Sequence, residues 1–489
     1  MADITIIGAG VMGAAVAYFL SKYQCEVVVL EKENDVAEAT SLANSGIVHS
    51  GHDPKPDTYK ARFNVEGNRM YPELCRHLHV LYRQTGAFVV AVNEEEREIL
   101  QMLKRQAEER GIPCEEIDGE TARKMEPNLS ENIIAAISLP TTGVVDPWEI
   151  TLGMMEEAVL NGCDLRLNHQ VVGIKQKETG YQIEVEDLVK NESYHLETRY
   201  VINCAGVYSD QVFALLEKEI DYKITPRRGQ YFVLDNTIAP LVSRPIYPVP
   251  SALGKGILAI PTIHGNVLLG PDSEWIEDKE GINVESARLD VVRNGLAKTV
   301  RNIPFDKVIR SFAGLRATGN TGDFIIREEE KYPGFIQVAC LESPGLTAAP
   351  AIGRYVAEEL IGAKEKYAHR NNYQNRRPPI RLDGMSLSEK NEWVKKEKRF
   401  AGMICRCESV SEAEIMDCIH RPVGATTVKG VKKRTRPGAG RCQGGFCEPR
   451  VVEILARELG ISPLDVMYDS LRSPIFVSES KQGKGESHE

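Results

Sequence analysis

The chain has 489 residues, of which 42% are hydrophobic and 27% are charged, and its formal net charge is −10. This length exceeds what one hydrophobic core usually supports, so two or three domains are expected. The composition is that of a globular protein, no apolar run is long enough to cross a bilayer, and the acidic balance argues against nucleic acid as a general partner. Because a strand pattern already begins at Ile4, we predict no signal peptide and a cytoplasmic location, with attachment to the inner membrane only through a partner.

The first predicted elements are a strand, a glycine-rich turn and a helix, in the stretch ITIIGAGVMGAAVAYFLSK. Gly8, Gly10 and Gly13 have the G-x-G-x-x-G spacing, and Glu31 ends the next apolar run. The glycines allow a tight turn, a close approach of the backbone to a pyrophosphate and close packing of the helix on the strand, while the acid would accept hydrogen bonds from ribose hydroxyls. The alternative is a turn that binds nothing, but the strand, the helix and the acid together predict a dinucleotide site.

Further along the chain, GQYFVLD, GILAIPT and GNVLLGP are predicted strands, and the tight IHGN turn between the last two indicates antiparallel pairing. The segment RYVINCAGVYSDQV is predicted to be an apolar strand with a glycine turn at Gly206. It is either another core strand or the return of the chain to the dinucleotide half, beside the cofactor. That return and the N-terminal position of the glycine loop favour FAD over NAD. We therefore predict an α/β fold in which a Rossmann-like FAD-binding domain is interleaved with an antiparallel-sheet substrate domain.

The chain becomes polar and proline-containing over residues 368–399, which predicts a surface linker. Beyond it we expect a small helical unit over residues 400–460. Ser411 and Glu414 have the capping-box spacing, and the stretch CEPRVVEILARELG has Pro449 near a helix start and Gly460 at its end. Residues 461–489 form a C-terminal segment whose last dozen residues are expected to be disordered.

Four of the eleven cysteines are clustered as Cys405-x-Cys407 and Cys442-x4-Cys447. Thiolates in two close pairs select zinc or an iron–sulfur cluster. Zinc usually prefers two or more residues between paired cysteines, so a [2Fe–2S] cluster is favoured, with zinc and unmetallated thiols as alternatives. The remaining cysteines are predicted to be small buried residues rather than disulfides: Cys25, Cys75, Cys114, Cys163, Cys204, Cys340 and Cys418.

A basic run precedes the second cysteine pair. Its cations can offset the charge of an anionic cluster, while the neighbouring glycines let backbone N–H groups approach the cluster sulfurs. A solvated face and a docking surface for an acidic partner are the alternatives, and nucleic-acid binding is not expected because no aromatic residues interleave with the charges. The run consists of Lys429, Lys432, Lys433, Arg434 and Arg436, with Arg441 beyond it.

Five stretches carry a resemblance to a known family: TSLANSGIVHSG, RYVINCAGVYSD, PRRGQYFVL, AGLRATG and ESPGLTAAPAIG. Over about residues 1–365 the chain resembles the FAD-dependent branch of the D-amino-acid-oxidase-like superfamily, and within it glycerol-3-phosphate and L-2-hydroxyglutarate dehydrogenases. About residues 400–455 resemble the bacterioferritin-associated-ferredoxin-like module, which carries a [2Fe–2S] cluster and also ends the large subunit of anaerobic glycerol-3-phosphate dehydrogenases. The resemblance implies one oxidoreductase domain over residues 1–367, with FAD-binding parts at about 1–80, 145–220 and 310–367 and substrate parts at about 81–144 and 221–309.

The resemblance also implies roles for single residues. His49 is a candidate base for the substrate hydroxyl, or a histidine that only orients a loop or the cofactor. Arg316 is a candidate for holding the substrate's anionic group, or a structural salt-bridge residue. A helix start at Gly345, Leu346 and Thr347 is expected to face the flavin. The other predicted FAD contacts are Ser41, Asn44, Ser45 and Val172, and the weaker candidates for the substrate pocket are Lys60, Arg62 and His264.

Together these features imply an FAD- and [2Fe–2S]-dependent dehydrogenase that oxidises sn-glycerol 3-phosphate and passes electrons to a flavoprotein or quinone-linked subunit. One departure is that ESPGLTAAP stands where glycerol-phosphate enzymes usually carry a Gly-Gly-Lys-Leu-Thr-Thr-type stretch, so the phosphate-binding lysine is missing. The nearest alternative substrate is therefore L-2-hydroxyglutarate or a similar 2-hydroxy acid. An alternative of another class is a flavin oxidase with a zinc-binding interaction module.

Overall fold

The structure is a computed structural model that describes residues 1–238, 240–250 and 256–479. The chain divides into two compact units, the first comprising Met1–Pro378 and the second beginning at Pro379. The disorder expected for the last dozen residues concerns positions that lie almost entirely outside the described residues. None of the helices in the described ranges combines the length and the apolar character that a membrane span requires.

Strands and helices alternate along much of the chain. The strands are β1 (Ala2–Ile7), β2 (Val27–Glu31), β3 (Ile47–Val48), β4 (Tyr82–Arg83), β5 (Phe88–Ala91), β6 (Glu115–Asp118), β7 (Ala135–Ser138), β8 (Gly143–Val145), β9 (Asp164–Leu167), β10 (His169–Gln176), β11 (Tyr181–Asp187), β12 (Glu192–Asn203), β13 (Arg227–Leu234), β14 (Ile246–Pro248), β15 (Leu258–Pro261), β16 (Val267–Gly270), β17 (Glu274–Trp275), β18 (Val308–Arg316), β19 (Ile325–Glu329), β20 (Tyr332–Ala339), β21 (Met403–Cys405) and β22 (Val410–Ser411). The helices are α1 (Val11–Leu20), α2 (Ala39–Leu42), α3 (Tyr59–His77), α4 (Glu94–Glu109), α5 (Gly119–Met125), α6 (Pro147–Leu160), α7 (Ser209–Ala214), α8 (Ser286–Leu296), α9 (Gly345–Tyr355), α10 (Leu387–Lys396), α11 (Glu412–Ile419), α12 (Val428–Thr435) and α13 (Glu448–Leu459).

The first sheet of the first unit has a parallel centre. Its order is β10-β11-β12-β1-β2-β9, with β20 beside β12 and β19 beside β20. Strand β1 pairs in parallel with both β2 and β12, and its residues Ile4 and Ile6 are fully buried, as expected for a strand covered on both faces. The predicted return of the chain through RYVIN to the dinucleotide half is confirmed, because this segment is the end of β12.

The second sheet is mostly antiparallel, with the order β17-β13-β16-β15-β14-β5-β7-β6 and β18 paired with β13. The predicted hairpin across the IHGN turn is confirmed as β15 and β16. Strand β18 stays in this sheet as far as Arg316, so the chain rejoins the first sheet only at Ile325, later than the expected position 310. The physical reason is the long antiparallel pairing of β18 with β13. The α/β fold with an interleaved antiparallel sheet is confirmed.

Helix α9 is packed unusually closely between α1 and α3. A Cβ atom on Gly67 of α3 would overlap the backbone oxygen of Thr347, and a Cβ on Gly353 of α9 would lie 2.7 Å from the carbonyl carbon of Ala15 in α1. Glycines at these two crossings let the backbones approach. The packing fixes the position of the α9 N-terminus, which matters for the site.

The last residues of the first unit form a strap over its helices. An isolated bridge joins Tyr23 to His369, and the guanidinium of the buried Arg376 lies 2.9 Å from the carboxylate of Glu156. The backbone N–H of Arg376 donates to Glu157, whose other carboxylate oxygen lies 2.7 Å from His77. Residues 368–378 therefore belong to the folded unit, although the sequence predicted a linker there.

The second unit is small and mainly helical. The capping box of Ser411 with Glu414 is confirmed at the start of α11, and Gly460 ends α13 with a left-handed φ of 66°. The polar stretch before it also folds, because a second capping box of Ser386 with Glu389 starts α10. The ring of Trp393 in this helix packs against Phe400 with the centroids 5.2 Å apart. The expected extended linker therefore contains a helix that its polar composition concealed.

Candidate functional site

The glycine loop between β1 and α1 has a shape that only glycine permits at two positions. Gly8 has a φ of +102°, and a Cβ atom there would lie 2.6 Å from the backbone oxygen of Cys204 at the end of β12. A Cβ on Gly13 would overlap the backbone oxygen of Gly8. The N–H of Val11, the first residue of α1, donates to Ser41 Oγ at 2.9 Å. The α1 N-terminus can approach a ligand closely because the glycines leave space there, and the Ser41 hydroxyl lies beside it. This arrangement fits the diphosphate of a dinucleotide.

Glu31, at the end of β2, is fixed by two backbone donors at this loop. Its carboxylate accepts from the N–H of Ala9 at 2.7 Å and from the N–H of Glu33 at 2.9 Å. Burial raises the pKa of Glu31 to about 7, against which the two hydrogen bonds act. Acceptor atoms held next to the glycine loop fit the ribose of an adenine dinucleotide, so the residues at this end of the fold suit FAD.

Replacing Gly10 or Gly13 by alanine should have different effects on folding and on FAD binding. Gly13→Ala should destabilise the fold by at least about 1–3 kcal/mol, because its methyl group would overlap backbone. Gly10→Ala should spare the fold, since a Cβ there meets only Ser41 Oγ at 3.2 Å, but it should weaken FAD binding by occupying the space of the diphosphate. Thermal unfolding of the FAD-free variants and FAD titration separate the two effects. Equal destabilisation by both substitutions would contradict this account.

The affinity for FAD should depend on pH through Glu31. Because its folded pKa of about 7 lies above the unfolded value of 4.5, the folded FAD-free chain binds more protons, and its stability falls as pH rises from about 4.5 to 7. Ribose hydroxyls donate best to the ionised carboxylate, so the affinity for FAD should rise by up to about tenfold between pH 6 and 8. Glu31→Gln should bind FAD more weakly and without this pH dependence, as fluorescence titration would show.

His49 is held at both its backbone and its ring. Its N–H donates to Thr347 Oγ1 at 2.9 Å, and Thr347 in turn donates to the oxygen of Ile47 at 3.3 Å. Its Nδ1 lies 3.1 Å from the phenol oxygen of the buried Tyr247 on β14. The predicted start of α9 at Gly345 is confirmed, so His49 lies against the first turn of that helix. No local pattern marked Tyr247 in the sequence, because only the sheet register brings β14 to this loop.

Arg316 ends β18 and lies across Gly229 of β13. A Cβ on Gly229 would lie 2.5 Å from Arg316 Nη2, which donates to the backbone oxygen of Asp272 at 3.3 Å. Burial raises the pKa of Tyr231, while Arg316 and Ser45, both hydrogen-bonded to its phenol, act against that shift. Among the residues that the structure describes, no carboxylate lies within ion-pair distance of Arg316. The alternative of a structural salt bridge is therefore not observed.

The other predicted residues have these positions. Asn44 Oδ1 accepts from the N–H of Gly46, and Val172 is half-buried in β10. Gly206, three residues after the end of β12, has a φ of +57°. Leu346 accepts the phenol hydrogen of Tyr71 at 2.7 Å. Of the weaker pocket candidates, His264 lies 2.8 Å from Asp146, Arg62 pairs with Glu66 at 3.0 Å, and Lys60 pairs with Glu342 at 2.8 Å.

In the second unit the four clustered cysteines meet as two pairs. Cys407 Sγ lies 3.8 Å from Cys442 Sγ, and the Cys405 and Cys447 thiols are hydrogen-bonded to each other. Nowhere in the described ranges do three or more His, Cys, Asp or Glu side chains converge so that they could hold a single metal ion. Each iron of a [2Fe–2S] cluster takes two thiolates, which two close thiol pairs can supply. The donor set therefore fits a [2Fe–2S] cluster.

Backbone N–H groups converge on the buried pair. The hydrogen bond from Cys447 lowers the pKa of the Cys405 thiol to about 6, and backbone N–H groups of Glu408, Gly438 and Cys407 contribute although burial opposes them. Gly438 has a φ of +84°, and a Cβ on Gly440 would overlap the side chain of Cys407. The glycines therefore allow the backbone to approach the sulfurs. A thiolate stabilised in this way is the form that ligates iron.

Most cations of the basic run are buried or form ion pairs and hydrogen bonds within the second unit. Lys433 is buried, Lys429 pairs with Asp469 at 2.6 Å and Arg436 pairs with Glu408 at 2.7 Å. Arg434 donates to the backbone oxygens of Val423 and Gly430.

The expectation of small buried residues is confirmed for six of the seven scattered cysteines, and Cys114 is half-buried.

Comparison with known proteins agrees with this geometry. Residues 3–359 match the family described as "FAD dependent oxidoreductase" (DAO), and residues 403–457 match "BFD-like [2Fe-2S] binding domain". A glycerol 3-phosphate dehydrogenase of Caloramator mitchellensis is 44% identical over 98% of this chain and 99% of its own. A glycerol 3-phosphate oxidase of Mycoplasma genitalium is 32% identical over 76% of this chain and 98% of its own. The human mitochondrial L-2-hydroxyglutarate dehydrogenase is 32% identical over 73% of this chain and 88% of its own.

Among solved structures, the FAD-bound L-alpha-glycerophosphate oxidase of Mycoplasma pneumoniae superposes with a TM-score of 0.72 at 30% identity, over 78% of this chain and 99% of that one. The glycine loop and the paired thiols lie within the two matched regions, which identifies FAD and a [2Fe–2S] cluster as the cofactors. The chain therefore belongs to the family of FAD dependent oxidoreductases and carries, beyond that domain, a BFD-like [2Fe–2S] binding domain.

Proposed function

We propose that this protein is a dehydrogenase that oxidises sn-glycerol 3-phosphate to dihydroxyacetone phosphate and delivers the electrons to a partner protein. The observation that carries the proposal is the whole-length match, at 44% identity, to a relative named glycerol 3-phosphate dehydrogenase. That match covers 98% of the chain and so extends into the cluster domain. A flavoprotein or quinone-linked subunit is the proposed acceptor, and it would also provide any attachment to the inner membrane.

The two sheets of the first unit would bind different molecules. We assign FAD to the first sheet with the α1 and α9 starts, and the substrate to the face of the second sheet that carries Arg316. FAD, when bound, supplies two-electron chemistry at the substrate C–H bond, and the [2Fe–2S] cluster passes single electrons onward. His49 takes the hydroxyl proton, while the Arg316 guanidinium holds the phosphate through charge-assisted hydrogen bonds.

The cluster domain favours a dehydrogenase over an oxidase. The Mycoplasma genitalium oxidase aligns over 98% of its own length and yet covers only 76% of this chain. About a quarter of the present chain therefore has no counterpart in that oxidase. A one-electron carrier appended to a flavin domain suits transfer to another protein rather than to oxygen at the flavin.

L-2-Hydroxyglutarate is the second candidate substrate. Dehydrogenases named for it are 27–32% identical over 72–73% of this chain in the human, Arabidopsis thaliana and mouse sequences. The missing lysine in ESPGLTAAP also points toward a 2-hydroxy acid. The higher identity and fuller coverage of the glycerol-phosphate relative favour our first choice.

Anaerobic titration of the FAD- and iron-loaded protein tests the proposal. Glycerol 3-phosphate should bleach the flavin absorption within the dead time of hand mixing, whereas L-2-hydroxyglutarate at equal concentration should not. In air, without an acceptor protein, peroxide should form far more slowly than the flavin is reduced. Bleaching by L-2-hydroxyglutarate alone would overturn the substrate assignment, and peroxide formation at the full rate would favour an oxidase.

A further inference from the structure

A second arginine lies directly opposite Arg316 on the second sheet. Arg227 of β13 is the register partner of Arg316 on β18, so both side chains leave the same face of the sheet. Arg227 Nη2 lies 2.7 Å from Glu342, and the ammonium of Lys60 at the start of α3 lies 2.8 Å from the other oxygen of that carboxylate. The side chains of Arg316, Arg227, Lys60 and Glu342 together carry a formal charge of +2. The carboxylate of Asp323 lies beside this group and accepts the N–H groups of Tyr59 and Lys60.

This group of four residues is half-buried rather than fully solvated. The side chains of Lys60 and Glu342 are 14% and 13% exposed, and that of Arg227 is 21% exposed. Burial alone would raise the pKa of Glu342, but Lys60 and Arg227 hold it below its usual value. Burial lowers the pKa of Arg227, which Glu342 opposes and Arg316 reinforces. Charges in such surroundings interact more strongly than charges on an open surface.

The group adjoins the elements that hold His49. The backbone oxygen of Glu342 accepts the N–H of Gly345, the first residue of α9, at 2.6 Å, and Thr347 two residues on binds the N–H of His49. Thr318 also donates to Glu342, at 3.0 Å. Within the part of the chain that the structure describes, the buried Arg227 Nε has no hydrogen-bond partner. The acceptor atoms of a bound ligand would satisfy this donor.

We propose that Arg227 and Lys60, bridged by Glu342, complete with Arg316 a binding site for a doubly charged phosphate group. The inference rests on the proposed function and deepens it, since these two cations would replace the lysine that is missing from ESPGLTAAP. A phosphomonoester places two negative charges on one group, which a net charge of about +2 matches, whereas each carboxylate of a 2-hydroxy acid carries only one. Glu342 holds the two cations in place and cancels one of their charges.

The test uses methyl phosphate, a phosphomonoester that the enzyme cannot oxidise, bound to FAD-loaded protein and followed by calorimetry. With a second pKa of about 6, such an ester is singly charged at pH 5 and doubly charged at pH 7.5. The wild type should bind it about tenfold more tightly at the higher pH. Arg227→Gln and Lys60→Gln should each lose about tenfold or more of the affinity at pH 7.5 but no more than about threefold at pH 5.

Three controls distinguish loss of the phosphate site from titration of the protein, from a general loss of positive charge and from misfolding. Sulfate, doubly charged at both pH values, reports any titration of the protein itself. Arg310→Gln removes an exposed arginine from the same strand as Arg316 and should bind methyl phosphate as the wild type does. Arg227→Lys keeps the charge and should recover most of the affinity, which a loss of folding in Arg227→Gln could not explain.

Two outcomes separate this inference from the proposed function. If Arg227→Gln and Lys60→Gln bind methyl phosphate as the wild type does, with the same pH dependence, the phosphate site is wrong even if glycerol 3-phosphate reduces the flavin. If glycerol 3-phosphate fails to reduce the flavin while both substitutions still abolish the pH dependence of methyl phosphate binding, the proposed substrate is wrong. The assignment of a site for a doubly charged anion is then still supported.

Discussion

Cys442→Ser should remove the cluster while leaving the flavin half of the reaction intact. Cys442 Sγ lies 3.8 Å from Cys407 Sγ, so its loss deprives one iron of one of its two thiolates. Changes in groups that only support a metal ligand already cost about 10–100-fold, so loss of a ligand should reduce electron delivery to an acceptor protein by more than about 100-fold. Iron and sulfide assays, together with the visible absorption beyond the flavin bands, measure the cluster directly.

Cys418→Ala is the matched control for this prediction. Cys418 is a buried cysteine of the same unit that belongs to neither thiol pair, and burial raises its pKa to about 12. This variant should keep its iron and its turnover. In Cys442→Ser, glycerol 3-phosphate should still bleach the flavin without oxygen. Full iron content in Cys442→Ser together with an unchanged visible spectrum would refute the assignment of the ligands.

Arg316→Met should lower kcat/KM for glycerol 3-phosphate by about 10² to 10³. Truncating one partner of a buried, hydrogen-bonded charge pair costs about 2–5 kcal/mol, and methionine keeps the apolar stem over Gly229 while removing the charge. Most of the loss should appear in KM if the arginine binds the phosphate equally in the ground and transition states. Arg316→Lys should retain part of the activity, because an ammonium supplies the charge without the bidentate geometry.

Steady-state kinetics of Arg316→Met, with Arg310→Met as the control on the same strand, check this prediction. Arg310 is exposed, so its replacement should leave both kinetic parameters near the wild-type values. Thermal unfolding shows whether Arg316→Met is folded. A folded Arg316→Met enzyme with unchanged kcat/KM would remove Arg316 from the substrate site.

The parts of the site that sequence could predict are those whose chemistry depends on a local pattern. Gly8 and Gly13 are needed for contacts within one turn and its neighbouring strand, so their spacing alone indicates the loop. The two close thiol pairs also follow from a local pattern, because the spacing of the four cysteines indicates a cluster of thiol ligands. Helix starts such as Ser411 with Glu414 follow from short-range hydrogen bonds and were predicted correctly.

The parts that sequence could not predict depend on the register of distant strands. Arg227 faces Arg316 only because β13 and β18 pair antiparallel, although 88 intervening positions separate them along the chain. Tyr247 reaches His49 in the same way. Composition also misled at the apparent linker, where polar residues around Ser386 and Trp393 form a capped helix and not an extended segment. Local pattern is a poor guide wherever long-range pairing decides the neighbours.

The strap at residues 368–378 has a practical consequence for dividing the protein. Arg376 is the cation beside Glu156, and its backbone also donates to Glu157, so a cut at position 367 would leave two buried acids without it. An uncompensated buried charge costs about 3–5 kcal/mol, a large share of the stability of any single domain. A flavin half prepared without its cluster half should therefore end after Pro378, and one that ends at position 367 should fold poorly for reasons unrelated to iron.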